Sequence, residues 1–224
     1  MQTAVKIEDY LRELEDSLGN DFQRKALDTF AVAYRTGRAN AFAGMDVGGL
    51  IEEIAAAKDY SLAHMDELYQ EFKARAEAMG VHVHLAKTAY EANEIIARIA
   101  RENDCKKVIK SKSMTAEETH LNDHLEEKGL TVVESDLGEW IIQLRHEGPS
   151  HMVMPAIHLS RYQVADLFTK ETKKEQDPDI QKLVKVARRE LRKEYAQADM
   201  GVSGANFAVA ETGTIGLVTN EGNA

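Results

Sequence analysis

The sequence predicts an α/β fold, a mainly parallel sheet flanked by helices and preceded by an N-terminal helical extension. Three features predict it. Apolar residues recur at helical spacing through the first 80 positions. From residue 81, short β-branched runs alternate with helical stretches opened by threonine caps. A glycine-punctuated tail then carries two further short runs joined by a tight turn. Strands that alternate with helices are joined by crossovers, and crossovers are what parallel pairing requires. The expected division is a helical extension over residues 1–80, packed on the core, and an α/β domain over residues 81–224.

Ile7, Leu11, Leu14 and Leu18 mark a first helix, and Phe22, Leu27, Phe30 and Tyr34 a second that ends near Gly37. Val47, Leu50, Ile51 and Ile54 mark a third, and Met65, Leu68, Phe72 and Ala76 a fourth that stops at Gly80. Each stripe is one-sided and must be buried against something. Residues 81–86 (VHVHLA) alternate as a strand does. Thr88 and Glu91 have capping-box spacing at the start of a helix carrying Ala92, Ile95, Ile96 and Ile99. Residues 107–111 (KVIKS) form a second strand. Thr115 and Glu118 repeat the capping spacing and open a helix that ends before Gly129. Residues 130–134 (LTVVE) and 152–156 (MVMPA) supply a third and a fourth strand, with a helical segment over 137–144 between them. Two helices follow Arg161, the longer over about 179–198. Residues 206–210 (NFAVA) and 214–219 (TIGLVT) then make a hairpin in or beside the sheet, turning at Glu211, Thr212 and Gly213.

Composition narrows the function. The formal net charge is −10, which disfavours nucleic acid, whose phosphates need a basic face. No stretch reaches the ~18 uncharged apolar residues of a membrane helix, and the acidic N-terminus lacks the apolar region of a secretory signal, so a cytoplasmic protein is expected. The single cysteine, Cys105, excludes internal disulfides and any all-cysteine iron–sulfur cluster within this chain.

Ligands of open parallel sheets sit beyond the carboxyl ends of the strands, and the polar chemistry concentrates in loops that begin there. Residues 110–114 (KSKSM) place Lys110, Lys112 and Ser113 at a strand-to-helix junction, a candidate anion site. Glu134, Asp136 and Glu139 put three carboxylates within six residues, so that one can raise the pKa of another and serve as acid or base; the plainer role for Asp136 is a helix cap. His158 follows Pro155 and is a candidate proton carrier at neutral pH. In the tail, Gly201, Gly204 and Gly213 permit close backbone approach to a ligand, and Asn206 and Glu211 exceed the polar needs of a simple hairpin. The spacing matches neither nucleotide-binding glycine fingerprint. His82 with His84 and His120 with His124 are paired, but neither pair has a third ligand in sequence, so no metal site is expected.

Three blocks carry a resemblance: residues 110–144 (KSKSMTAEETHLNDHLEEKGLTVVESDLGEWIIQL), residues 149–161 (PSHMVMPAIHLSR) and residues 198–224 (ADMGVSGANFAVAETGTIGLVTNEGNA). They closely resemble the lactate utilization protein B family and its LUD domain, with a weaker match over the first helices. The resemblance implies a fold related to the NagB/RpiA/CoA-transferase-like group. It also implies a role in bacterial oxidation of L-lactate to pyruvate, as one subunit of a cytoplasmic complex whose other subunits are its partners. Family members continue into a ferredoxin-like region whose cysteines hold two 4Fe–4S clusters. This sequence carries one cysteine and stops just after NEGNA, so the clusters are expected outside it. The site expected within it binds a small anion through Lys110, Lys112 and Ser113, handles protons with Glu134, Asp136 and His158, and closes with Gly201, Gly204, Asn206, Glu211 and Gly213. Two other functions compete: acyl or CoA transfer with Glu134, Glu211 or Glu221 as nucleophile, and a non-catalytic assembly module docking through the N-terminal helices.

Overall fold

In a computed structural model of the chain, residues 6–219 and Gly222 are described. The chain divides into two compact units, one of Met1–Met45 with Ile141–Val186, the other of Asp46–Trp140 with Ala187–Ala224. The fold is α/β, a parallel sheet flanked by helices, with the N-terminal helices present. No described helix is long and apolar enough to cross a membrane.

The first unit contains helices α1 (Ile7–Gly19), α2 (Asp21–Ala41) and α9 (Arg161–Thr172). The Asn20 side chain caps α2 by accepting from the Gln23 amide at 3.0 Å. A full capping box opens α9, where Ser160 and Gln163 satisfy each other's backbone donors. The residues preceding α9 were expected to form a strand at 152–156, but they form bends and turns. His151 Nδ1 accepts the amides of Val153 and Met154 at 3.1 and 3.2 Å, and Pro155 has no amide to give, so three consecutive residues at the middle of this segment have no donor left for a ladder.

In the second unit, α3 (Val47–Ala63) and α4 (Met65–Ala78) precede α5 (Ala89–Glu102), β1 (Lys107–Lys110), α6 (Met114–Glu118), α7 (Leu121–Glu127) and β2 (Thr131–Glu134). Helices α8 (Leu137–Arg145) and α10 (Ile180–Gln197) and strands β3 (Met200–Val202), β4 (Phe207–Val209) and β5 (Thr214–Gly216) complete the described elements. The three-stranded sheet has the order β2-β1-β3, all parallel. Lys110 stands opposite Glu134 on one side and Val202 on the other. Val108 is fully buried and packs with Ala97, Leu121, Leu125 and Val132 in a core that α5, α6 and α7 close on one side. Asp199 fastens the start of β1: its Oδ2 accepts the amides of Lys106 and Lys107, both at 2.9 Å, and those bonds hold its carboxyl below the usual range.

Several elements differ from expectation. Residues 81–86 pair with no strand; Val81 and Leu85 are exposed, and the Val81 amide returns to the Ala76 carbonyl to terminate α4. The helix expected between residues 115 and 128 is two helices, because His120 takes a left-handed conformation with φ of 53°. Its cap is Ser113 rather than Thr115, the Ser113 hydroxyl accepting from the Ala116 amide at 3.2 Å. Strand β3 was not expected. The hairpin of β4 and β5 lies beside the sheet as a separate antiparallel pair.

Candidate functional site

The ends of the three parallel strands build the site. Beyond Lys110 the ladder runs one residue further on each side, the Ser111 amide donating to the Val202 carbonyl at 2.9 Å and the Ser135 amide to the Lys110 carbonyl at 2.8 Å. These bonds fix the directions in which residues 111–113, 135–136 and 203–206 leave the sheet. The hydroxyls of Ser111 and Ser203 join the first and third of these loops at 2.8 Å. Gly204 tightens the same junction, since a Cβ there would stand 3.0 Å from the Ser113 hydroxyl. The chain leaves β1 toward β2 on one side and enters from α10 into β3 on the other, so the β1/β3 boundary is the point where connections diverge, the usual place for a ligand crevice.

A cavity of about 580 Å³ opens there, within the size range of small-molecule sites. Lys112, Ser113, Asp136, Gly204 and Asn206, all anticipated from sequence, line it, and Ile96, Leu121, Val202 and Leu217 give it apolar walls. Ser113 is occupied as the α6 cap. Asp136 both lines the cavity and caps α8, its Oδ1 accepting the amides of Gly138 and Glu139 at 3.0 and 3.2 Å. Asn206 Oδ1 accepts the Val218 amide at 2.7 Å, which draws the segment after β5 alongside residue 206.

The other anticipated residues lie elsewhere. Lys110 and Glu134 form an ion pair of 2.9 Å behind the lining, at 1% and 4% exposure, with Asn122 Nδ2 also donating to Glu134 Oε1 at 2.6 Å. Burial drives the Glu134 carboxyl up, against the pull of Lys110. Gly201 is a β3 residue paired with Ile109. Glu211 and Gly213 form the hairpin turn, where Gly213 has φ of 70° and packs so closely on α4 that a Cβ would meet the Ala76 amide nitrogen at 2.4 Å. Glu221 lies outside the described residues. His158 belongs to the first unit, where its ring bridges the Ser150 hydroxyl at 2.7 Å and Glu147 Oε2 at 3.2 Å. Arg145 bonds the same Glu147 carboxylate and holds it below the usual range.

Glu117, Asn93 and Asn122 matter as well, and the sequence reading does not single them out. Glu139, one of the anticipated carboxylate triplet, pairs with Lys112 Nζ at 2.7 Å, and the Glu117 carboxyl from α6 faces Glu139. Glu117 is raised to about 7, first by burial and then by the charge of Glu139, with Lys110 and Lys112 pulling the other way. Nothing local in sequence ties Glu117 to Glu139. Asn93 lines the cavity at 4% exposure, and its Nδ2 donates to the Thr119 carbonyl at 2.7 Å. It did leave a sequence signal, as a polar residue on the buried Asn93, Ala97, Ala100 stripe of α5. Asn122 completes the buried pair.

Among the described residues no group of three or more His, Cys, Asp or Glu is placed to hold a metal. Iron–sulfur ligation by thiolates does not fit this chain, which has only Cys105, with its Sγ 3.8 Å from the Asn103 carbonyl.

Comparison with known proteins places the chain. The LUD domain model matches residues 69–224. Lactate utilization protein B of Oceanobacillus iheyensis is 39% identical over 227 residues, covering 99% of this chain and 47% of that protein. The protein of the same name from Shouchella clausii is 40% identical over 230 residues, with 99% and 47% covered. That of Bacillus pumilus is 45% identical over 168 residues, with 75% and 36% covered. The chain thus spans about half the length of the curated relatives it matches. No solved structure matches it significantly. With 156 of its 224 residues under the family model, the chain belongs to the LUD domain family.

Proposed function

We propose that this chain is the LUD domain of a lactate-utilization iron–sulfur protein, that the complex it serves oxidises L-lactate to pyruvate, and that its cavity binds a small anionic ligand. The names of the relatives support the first part. The observation that carries the last part is Lys112, a lysine that lines a cavity at the carboxyl ends of three parallel strands. Around it Ser111, Ser203 and Asn206 can turn hydroxyl and amide groups to a bound carboxylate. In this reading Lys112 is the anion contact, Asp136 and Gly204 shape the mouth, and Lys110 with Glu134 sets the charge balance from behind. The iron–sulfur clusters and the partner subunits belong to the whole protein.

Titration calorimetry of L-lactate and pyruvate into the chain tests this, with Lys112→Met as the comparison. One charge-assisted contact is worth about 1.5–3 kcal/mol, so affinity falls on the order of tenfold or more in the variant. Equal binding by both proteins, or none by the parent, refutes the anion site.

A further inference from the structure

Lys112 lines the cavity, and its ammonium is held by Glu139, a residue of 6% exposure. An anion entering the cavity must compete with that carboxylate. We propose that Glu117 and Glu139 hold one proton between them, that this proton decides whether Lys112 stays on Glu139 or turns to an anion in the cavity, and that anion capture is therefore accompanied by proton uptake. The proposal deepens the anion-site reading and rests on it.

Charge counting gives the first argument. Lys110 and Lys112 bring two positive charges to the region behind the lining, while Glu117, Glu134 and Glu139 bring three carboxyls. Two ion pairs use both ammonium groups, so the third carboxyl, Glu117, has no cation of its own. Its Oε1 is buried without a partner. The charged groups facing it are Glu139 from α8 and, from the end of β1 and its loop, Lys110 and Lys112. Glu134, from β2, faces Lys110 and Glu139 in turn. This arrangement places the Glu117 carboxyl near neutrality, as described above.

The second argument concerns what happens to Glu139 once its cation leaves. A buried carboxylate without a partner is strongly disfavoured. A protonated Glu117 removes the difficulty by donating to Glu139, and the acid–carboxylate pair then carries a single charge. An ionised Glu117 repels Glu139 and leaves both dependent on Lys112. Release of Lys112 is thus tied to the protonated state. The bond that forms is between Lys112 and the incoming anion, the one that breaks is between Lys112 and Glu139, and the proton comes from solvent.

Two measurements on the full chain decide the matter. In the ligand-free protein, the NMR signal of the Lys112 ε-methylene is followed from pH 5.5 to 8.5. It is expected to inflect near 7, and to lose that inflection in Glu117→Gln and in Glu139→Gln. L-lactate, ionised across this range, is then titrated in buffers of different ionisation enthalpy. Binding at pH 7 is expected to take up about half a proton, and affinity to weaken about tenfold from pH 6 to pH 8; Glu117→Gln should abolish both effects. A Lys112 signal flat between pH 6 and 8, or proton uptake that persists in Glu117→Gln, overturns the proposal. If L-lactate does not bind at any pH, the anion-site reading fails. The Lys112 titration then still decides the shared proton, an inflection supporting it and a flat signal overturning it.

Discussion

Lys110 is held almost wholly out of water, and its ammonium rests on Glu134. Removing one partner of such a pair leaves the other as an uncompensated buried charge, a loss of about 3–5 kcal/mol, whereas replacing both is often close to neutral. Lys110→Met should therefore destabilise the chain by roughly 3 kcal/mol in urea unfolding, and Lys110→Met with Glu134→Gln should recover most of that loss. Glu117 makes a different prediction. Its folded-state pKa lies above its unfolded one, so its contribution to stability is complete below about 4.5 and is lost as pH rises through about 7. Glu134 acts in the same direction and remains in a Glu117 variant. Glu117→Gln should match the parent at pH 5 and exceed it at pH 8. Allowing for solvent screening of a half-buried group, the gain is about 1 kcal/mol, or roughly 2–4 °C in Tm for a chain of this length. Equal pH slopes in thermal melts of the two proteins contradict this account of Glu117.

Among the elements, the hairpin of β4 and β5 depends most on a single residue. Gly213 has the positive φ that the turn needs, and its α-carbon lies against the backbone of α4 at Arg75 and Ala76. Backbone cannot move aside as a flexible side-chain tip can. Gly213→Ala should cost on the order of 2 kcal/mol, combining backbone strain with overpacking. Hydrogen exchange should rise at the amides of the β4–β5 ladder and at the C-terminal turn of α4 together. Faster exchange in the hairpin alone would show that the contact with α4 is not what holds the turn. Strands β1 and β2 were legible because each is a β-branched run set between a helix end and a polar loop. Strand β3 was not, since three residues that include Gly201 carry no period and its pairing partner, β1, is about 90 residues away. Residues 81–86 show the converse, an alternating pattern without a neighbouring strand to pair with. In residues 152–156 local hydrogen bonds to His151 outcompete a ladder that the pattern alone allowed.

At the scale of the molecule, the α/β class followed from periodicity and capping, and the family from three long sequence blocks that the LUD domain match spans. The site was legible where chain order and strand ends coincide, which is why Lys112, Ser113, Asp136, Gly204 and Asn206 were named together and share one cavity. It was illegible where charges meet across elements. Glu117 and Glu139 lie 22 positions apart on different helices, and only the folded chain makes them a pair. His158 sits in the other compact unit, bonded to Ser150 and Glu147, because a turn rather than a strand precedes it. The most direct test of the central claim is amide chemical-shift mapping of the chain during a titration with L-lactate. The account predicts saturable shifts centred on residues 111–113, 136 and 203–206, abolished by Lys112→Met. Shifts confined to residues 141–186, or a pattern unchanged by Lys112→Met, would contradict it.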